Sequence, residues 1–329
     1  MISTPDLPDL PVDKRIDLPP CGTWPASVHL FDQVSADAVL TALAAERPLL
    51  VRGEPGAGKS QLARAAAQKL GRLFISTVVH SRSEAQDLQW EYDAVARLGE
   101  AQVLASVPST LGPQERLDPR RFLIPGPLWW VFDWSSAENQ VNHYSLCKAK
   151  SPAKPESWQP ENGSVLLIDE IDKAEADLPN SLLETLGNGA FPVPWLDAPV
   201  GLRKGVKPPL VVITTNGERE LPAAFMRRCL VLHLELPKES NELVAWLVER
   251  GKEHFGDDCK ENVRTLVAEQ LVQDRDKAVK KGLYKPGQAE YLDILRALVN
   301  ARGSDEVAQE ALFKRIARFA FEKTGTADA

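Results

Sequence analysis

The sequence holds four cysteines, Cys21, Cys147, Cys229 and Cys259, and no two of them form a CxxC pair. Such scattered thiols give neither a disulfide framework nor a zinc site, and they suit a reducing compartment. Long apolar runs are absent: nothing approaches the roughly 18–20 residues of a membrane span. The N-terminus lacks a basic stretch followed by an apolar core, so no signal peptide and a cytoplasmic location are expected. Positive charge is not in excess. Lys and Arg number 39 against 46 Asp and Glu, a net charge of −7, and the isoelectric point is about 5.4. That balance disfavours nucleic acid as the main ligand. Internal repeats and low-complexity segments are also missing. What remains is 43% hydrophobic and 26% charged over 329 residues, an ordinary globular composition with room for one large or two ordinary domains.

The most informative stretch is Val51-Arg52-Gly53-Glu54-Pro55-Gly56-Ala57-Gly58-Lys59-Ser60. The apolar run Pro48 to Val51 leads in, and a helix-like run from Gln61 to Leu70 leads out. Strand, glycine loop and helix are the context in which GxxxxGK[ST] acts as a phosphate-binding loop. Its three glycines let successive N–H groups turn toward an anion. The helix N-terminus adds partial positive charge. Lys59 has the reach for the β- and γ-phosphates, and Ser60 can ligate Mg²⁺.

Around this loop the chain divides. Residues 1–27 carry Pro5, Pro8, Pro11, Pro19, Pro20 and Pro25 among polar residues, an extended arm that is either packed or disordered. A helix with Ser35 as N-cap follows, and Leu73 to Val79 is a second β-rich run. Ser83-Glu84-Ala85-Gln86 has the form of a capping box opening one helix. On that helix Ala85, Leu88, Tyr92, Val95 and Leu98 repeat at core-facing spacing. About eighty residues then pass before the next clear strand, more than one crossover helix needs, which implies inserted structure.

Ser164 to Ile168 is a continuous apolar strand ending in Asp169-Glu170, and Leu210 to Ile213 is another, ending in Thr214-Thr215-Asn216. Between them, Ala190 to Val206 reads as a hairpin-like excursion. Pro222 to Arg228 is a short helix before a last strand at Leu230 to Leu236. After Pro237 only helical patterns appear. Their 16 Lys+Arg against 17 Asp+Glu exclude a basic nucleic-acid domain.

Continuous apolar strands belong to parallel sheets buried on both faces, where ligands bind beyond the carboxyl ends of the strands. All three strands end in polar chemistry. Asp169 is placed to hold Mg²⁺ opposite Ser60, and Glu170 to polarise an attacking water. Asn216 suits orienting that water and sensing the γ-phosphate, or else forms an Asn-Gly turn. Arg227-Arg228 suits reaching a neighbour's γ-phosphate, or else forms surface salt bridges.

The order GEPGAGKS, VLLIDE, TTN and MRRC, followed by helices, resembles an AAA+ ATPase. DLQWEYDAVARL, IPGPLWW, LLIDEIDKAEADLPNSLLETLGNGAFPVP and VVITTNGERELPAAFMRRC resemble its MoxR-type branch. The resemblance covers roughly residues 28–236 closely and the helical remainder loosely, and leaves the arm outside. It implies an α/β P-loop fold, a five-stranded parallel sheet with helices on both faces, and an all-α C-terminal lid. The units would be an arm at 1–27, a nucleotide-binding domain at 28–237 and a lid at 238–329. Within the second, a helix-2 insert would span about 83–134 and a hairpin about 190–206.

The resemblance also implies roles. Gly53, Glu54, Pro55, Gly56, Ala57, Gly58, Lys59, Ser60 and Gln61 would bind ATP. Ser60 and Asp169 would hold Mg²⁺, and Lys59 would contact the phosphates. Glu170 would be the base, Asn216 sensor 1, and Arg228 or Arg227 the finger acting on the next subunit. No lid arginine stands out as sensor 2: Lys285, just before Pro286 and a helix, is the nearest candidate, and Arg296 lies deeper in that helix. Trp129, Trp130 and Trp195 face either a central pore or the core. Such proteins typically form hexamers that remodel a partner protein, often one with a von Willebrand A domain. Alternatives of other classes are a nucleic-acid motor subunit and a nucleotide-gated scaffold.

Overall fold

The computed structural model describes residues 9–106, 113–144, 150–283 and 285–320. The first eight residues of the arm, positions 107–112 of the insert and Cys147 lie outside them. In chain order the elements begin with β1 (Ile16–Leu18), β2 (Ser27–His29), α1 (Gln33–Ala45), β3 (Leu49–Gly53), α2 (Lys59–Lys69) and β4 (Leu73–Val78). Next come α3 (Ala85–Gln89), β5 (Trp90–Tyr92), α4 (Ala94–Ser106), α5 (Pro113–Arg116), β6 (Leu123–Pro125), α6 (Pro127–Phe132) and α7 (Trp134–Asn139). The core strands resume with β7 (Ser164–Asp169), then α8 (Asp177–Asn188), β8 (Ala190–Phe191), β9 (Val200–Gly201), β10 (Leu210–Thr215), α9 (Ala223–Arg228) and β11 (Leu230–Leu234). Four helices follow: α10 (Ser240–Phe255), α11 (Glu261–Lys281), α12 (Gln288–Arg302) and α13 (Glu306–Ala320).

The central sheet has five strands in the order β11-β3-β10-β7-β4, and every pairing is parallel. Side chains alternate between its faces as the period of a strand requires. Leu49, Val51, Val165, Leu167, Leu210 and Val212 pack on one side with α1, α2 and the N-terminal segment. Leu50, Leu166, Ile168, Val211 and Ile213 pack on the other with α6 and α8. A parallel sheet covered on both faces explains why these strands lack polar alternation. α10 to α13 form a separate core around Leu247, Val263, Val267, Leu271, Tyr291 and Leu295. Among the described residues no helix is long and apolar enough to cross a membrane.

Three local expectations need correction. The helix expected to run from Ala85 through Leu98 breaks after Gln89. Trp90–Tyr92 pairs antiparallel with Leu123–Pro125 instead, and a new helix starts at Ala94. Val95 and Leu98 are consequently exposed, not core, because the break rotates the stripe off its first face. Ser83 does not cap α3: its hydroxyl accepts from the His80 N–H, and Glu84 is the N-cap. Likewise Asp32, not Ser35, caps α1, with Ser35 completing the capping box from the third position.

Of the two readings left open for the arm, packing applies to residues 9–27. Leu10, Ile16 and Leu18 are buried against the α1–α2 face, and β1 pairs antiparallel with β2. The tryptophans divide as well. Trp129 and Trp130 are buried, and Trp130, Trp134 and Trp158 make tilted and edge-on ring contacts in series, so Trp129 and Trp130 belong to the core. Trp195 is half-exposed and rests against Tyr92.

Candidate functional site

The loop Gly53 to Gly58 joins the C-terminal end of β3 to α2 at the place where the topology demands glycine. Gly58 has φ +88 and is the N-cap of α2, so α2 opens with its free N–H groups and positive end toward the loop. At Gly53 an added Cβ would lie 2.6 Å from the Leu234 carbonyl oxygen of β11. Only glycine allows that approach.

Lys59 is buried. Its ammonium donates to the Gly53 carbonyl at 2.8 Å, the Glu54 carbonyl at 2.9 Å and Asn216 Oδ1 at 2.7 Å. Burial lowers its pKa, while Asp169, Asp172, Glu170 and Glu54 oppose that shift. The Ser60 hydroxyl lies 3.0 Å from both carboxylate oxygens of Asp169. Asp169 is steadied by the Thr214 hydroxyl, which also accepts the Glu170 N–H at 2.9 Å. Glu170 adopts a left-handed backbone with φ +60, a strained conformation for a side-chain-bearing residue. Its carboxylate takes the Lys173 ammonium at 2.6 Å on one oxygen and Asn216 Nδ2 at 3.3 Å on the other. Asn216 therefore bridges Lys59 and Glu170 through the two ends of one amide, which is more than an Asn-Gly turn requires.

These side chains open onto a cavity of about 780 Å³. Its floor includes Pro55, Gly56, Gly58, Lys59, Ser60 and Gln61, and its far end Asp169, Glu170 and Asn216. One flank is α12, with Gln288, Ala289, Leu292, Asp293 and Arg296. Trp24 to Ser27 of the N-terminal segment also line the cavity. A neighbouring cavity of about 290 Å³ begins at Ala57 and Gln61 and runs between His29, Leu232, Trp246, Arg250 and His254. Burial, followed by the charge of Arg250, pushes the imidazole pKa of His29 down to about 3 and that of His254 to about 4.

Two hard oxygen donors, Ser60 and Asp169, sit side by side. That donor set suits Mg²⁺, which takes one or two protein ligands and completes its shell from phosphate and water. Among the described residues no group of three or more His, Cys, Asp or Glu could hold a metal by itself.

Of the other sequence candidates, Lys285, Arg227 and Arg228 lie apart from the cavity lining. Lys285 approaches Glu54 at 3.8 Å, beside an Arg275–Glu54 ion pair at 2.6 Å. Both cations grip the rim of the phosphate loop, while Arg296 lines the cavity. Arg227 and Arg228 are exposed at the end of α9, away from the lining. Among the described residues no carboxylate pairs with either of them, and their carbonyls are held by the Arg47 guanidinium. Sequence reasoning missed Thr214, Lys173 and the contribution of Trp24 to Ser27. Thr214 had a usable signal in its place at a strand end beside Asn216. The other two had none.

A family profile described as AAA domain (dynein-related subfamily) matches residues 48–250. The chain is 24% identical over 325 residues to the mitochondrial Lon protease homolog of Yarrowia lipolytica. That alignment takes in 91% of this chain and 23% of the relative, so the chain spans about a quarter of that protein's length. A solved Thermotoga maritima RuvB mutant is similar with a TM-score of 0.37 and 14% identity, over 85% of this chain and 73% of that one. That likeness is too loose to argue from. The profile covers more than half of the chain and takes in the phosphate loop, Asp169-Glu170 and Asn216: the chain belongs to the dynein-related AAA domain family and carries an AAA+ ATPase domain.

Proposed function

We propose that this chain is a MoxR-type AAA+ ATPase that assembles into a ring, with a hexamer expected, and uses ATP hydrolysis to remodel a partner protein. One observation carries the chemistry. Lys59, Ser60, Asp169, Glu170 and Asn216 come from three separate segments and meet in one hydrogen-bonded cluster at the ends of three parallel strands.

In this reading Lys59 exchanges its backbone partners for the β- and γ-phosphate oxygens. Ser60 and Asp169 would hold Mg²⁺, which when bound would neutralise phosphate charge. Glu170 accepts the proton of the attacking water, and Asn216 holds that water in line with the γ-phosphate. Arg296 on α12 is better placed than Lys285 to sense the nucleotide from the lid. Arg227 and Arg228, exposed and without a carboxylate partner among the described residues, are the groups offered to a neighbouring site. We take residues 28–237 as the nucleotide-binding unit and 238–329 as the lid.

The MoxR-type assignment rests on the motif series and on the elements inserted between β4 and β7. A protein partner, possessing a von Willebrand A domain or another fold, agrees with the absence of a basic excess. The assay is ATP turnover and nucleotide binding by three proteins. The wild type hydrolyses ATP, Lys59→Ala loses binding, and Glu170→Gln binds but turns over about 10²–10⁴-fold more slowly. Wild-type turnover by Glu170→Gln would remove Glu170 from the role of base.

A further inference from the structure

Arg64 sits one helical turn beyond Ser60 on α2, on the same side of the helix, and it is 4% exposed. Among the described residues no carboxylate pairs with it. Its guanidinium donates instead to three carbonyls and one hydroxyl of the N-terminal segment. It donates to the Pro25 carbonyl at 2.8 Å and to the Ser27 hydroxyl at 3.3 Å. The other amino group reaches the Leu18 carbonyl at 3.4 Å and the Pro19 carbonyl. One turn further along α2, Gln68 donates to the Asp17 carbonyl at 2.8 Å.

A buried guanidinium without a counter-charge is costly, and it persists where several aligned acceptors replace its water. Those acceptors lie on both sides of one excursion, Leu18-Pro19 before it and Pro25 to Ser27 after it. Between them Cys21 and Trp24 exchange backbone hydrogen bonds at 3.0 and 2.9 Å and close a tight turn. The Trp24 indole N–H donates to Ser76 Oγ at 3.1 Å, and its ring meets Phe74 edge-on at 5.8 Å. The excursion is therefore pinned at its base by α2 and at its tip by β4. The segment so pinned, Trp24 to Ser27, lines the same 780 Å³ cavity as the phosphate loop and α12.

We propose that the arm is a wall of the nucleotide site and that Arg64 is the positioning residue that sets this wall against the phosphate loop. The proposal rests on the nucleotide reading above. Arg64 touches no reacting atom. It binds the arm to the helix that carries Lys59 and Ser60, so loop and wall move as one body. Nucleotide entering between the arm and α12 then gains a second closed side. Losing the anchor would cost affinity and leave the chemical step alone.

Two measurements test this. The first uses the wild-type chain. Hydrogen exchange at the backbone amides of residues 21–30 is followed with and without the non-hydrolysable analogue adenylyl imidodiphosphate plus Mg²⁺. Exchange should slow about tenfold on binding, and unchanged exchange there overturns the proposal. The second is steady-state kinetics. Arg64→Met should raise KM for ATP about tenfold with kcat within about twofold. Arg64→Lys, which keeps one charged donor, should fall between. Wild-type KM in Arg64→Met overturns the proposal. If that variant does not fold, Arg64→Lys and the wild-type exchange data decide. Lys59→Ala separates the two layers of argument. If it binds nucleotide like the wild type, the site reading itself fails. If it loses binding while the Arg64 variants behave as wild type, only the arm proposal fails.

Discussion

Substituting alanine for Gly56 adds one methyl group at the contact between the phosphate loop and α12. Gly56 has φ +77, a backbone region that costs a side-chain-bearing residue about 1–2 kcal/mol. The new Cβ would lie 2.7 Å from Ala289 Cβ, where ordinary contact begins near 3.4 Å, so α12 must retreat by roughly 0.7 Å. Overpacking of that kind costs about 1–3 kcal/mol, for a total near 2–5 kcal/mol. The second half of this cost depends on the Ala289 methyl and the first does not. Ala289→Gly alone should cost about 0.5–1 kcal/mol as a helix substitution. In the double variant the clash vanishes and the backbone strain stays. Urea unfolding of the four proteins closes a double-mutant cycle, with an expected coupling of about 1–3 kcal/mol. ATP affinity should follow the same order, with Gly56→Ala weakest and the double variant partly restored. A coupling below about 0.5 kcal/mol would show that α12 does not press on the loop.

Further outcomes follow from other contacts. His29 and His254 have folded pKa values of about 3 and 4, below their ordinary 6.5, so the unfolded chain binds more protons as pH falls below 6.5. Stability should therefore drop from pH 6.5 toward 4, by about 2 kcal/mol per group at pH 5, and His29→Leu should flatten the profile measured by urea midpoints. Arg227→Ala and Arg228→Ala should both fold and bind nucleotide, while one of them loses about 10³-fold or more in turnover; turnover equal to wild type in both would exclude these groups as fingers. Arg296→Ala should weaken ATP binding more than Lys285→Ala does in a titration with a fluorescent ATP analogue, because only Arg296 lines the cavity.

Much of the site was legible because its parts are local in sequence and their chemistry is specific. The glycines of the phosphate loop announce their backbone geometry, and continuous apolar runs ending in Asp169-Glu170 or Asn216 announce a parallel sheet and its ligand-binding edge. What escaped was set by distant packing. Proline-rich residues 9–27 show no periodicity, since their order comes from buried Leu10, Ile16 and Leu18 and from Arg64 hydrogen bonds spanning dozens of positions. Arg64 itself reads as a surface cation in an alanine-rich helix. The stripe through Tyr92, Val95 and Leu98 failed for the opposite reason. Helical spacing was present, but pairing of Trp90–Tyr92 with Leu123–Pro125 broke the helix, and no local residue signals that partner. Lys285 and Arg296 share one stretch of sequence, but Lys285 lies beside Glu54 and Arg296 lines the cavity, a difference that only the packing of α12 reveals.

In the proposed ring each site is completed by a neighbouring subunit, and mixing two inactive variants probes that arrangement. A chain lacking both Arg227 and Arg228 keeps Glu170 but offers no finger. A Glu170→Gln chain offers the finger but lacks the base. Each alone should be nearly inactive in ATP turnover. Mixed in equal amounts, about a quarter of the sites should pair an intact Glu170 with an intact neighbouring arginine, and turnover should reappear in that proportion. A mixture as inactive as its components, although the chains assemble together, would contradict the account.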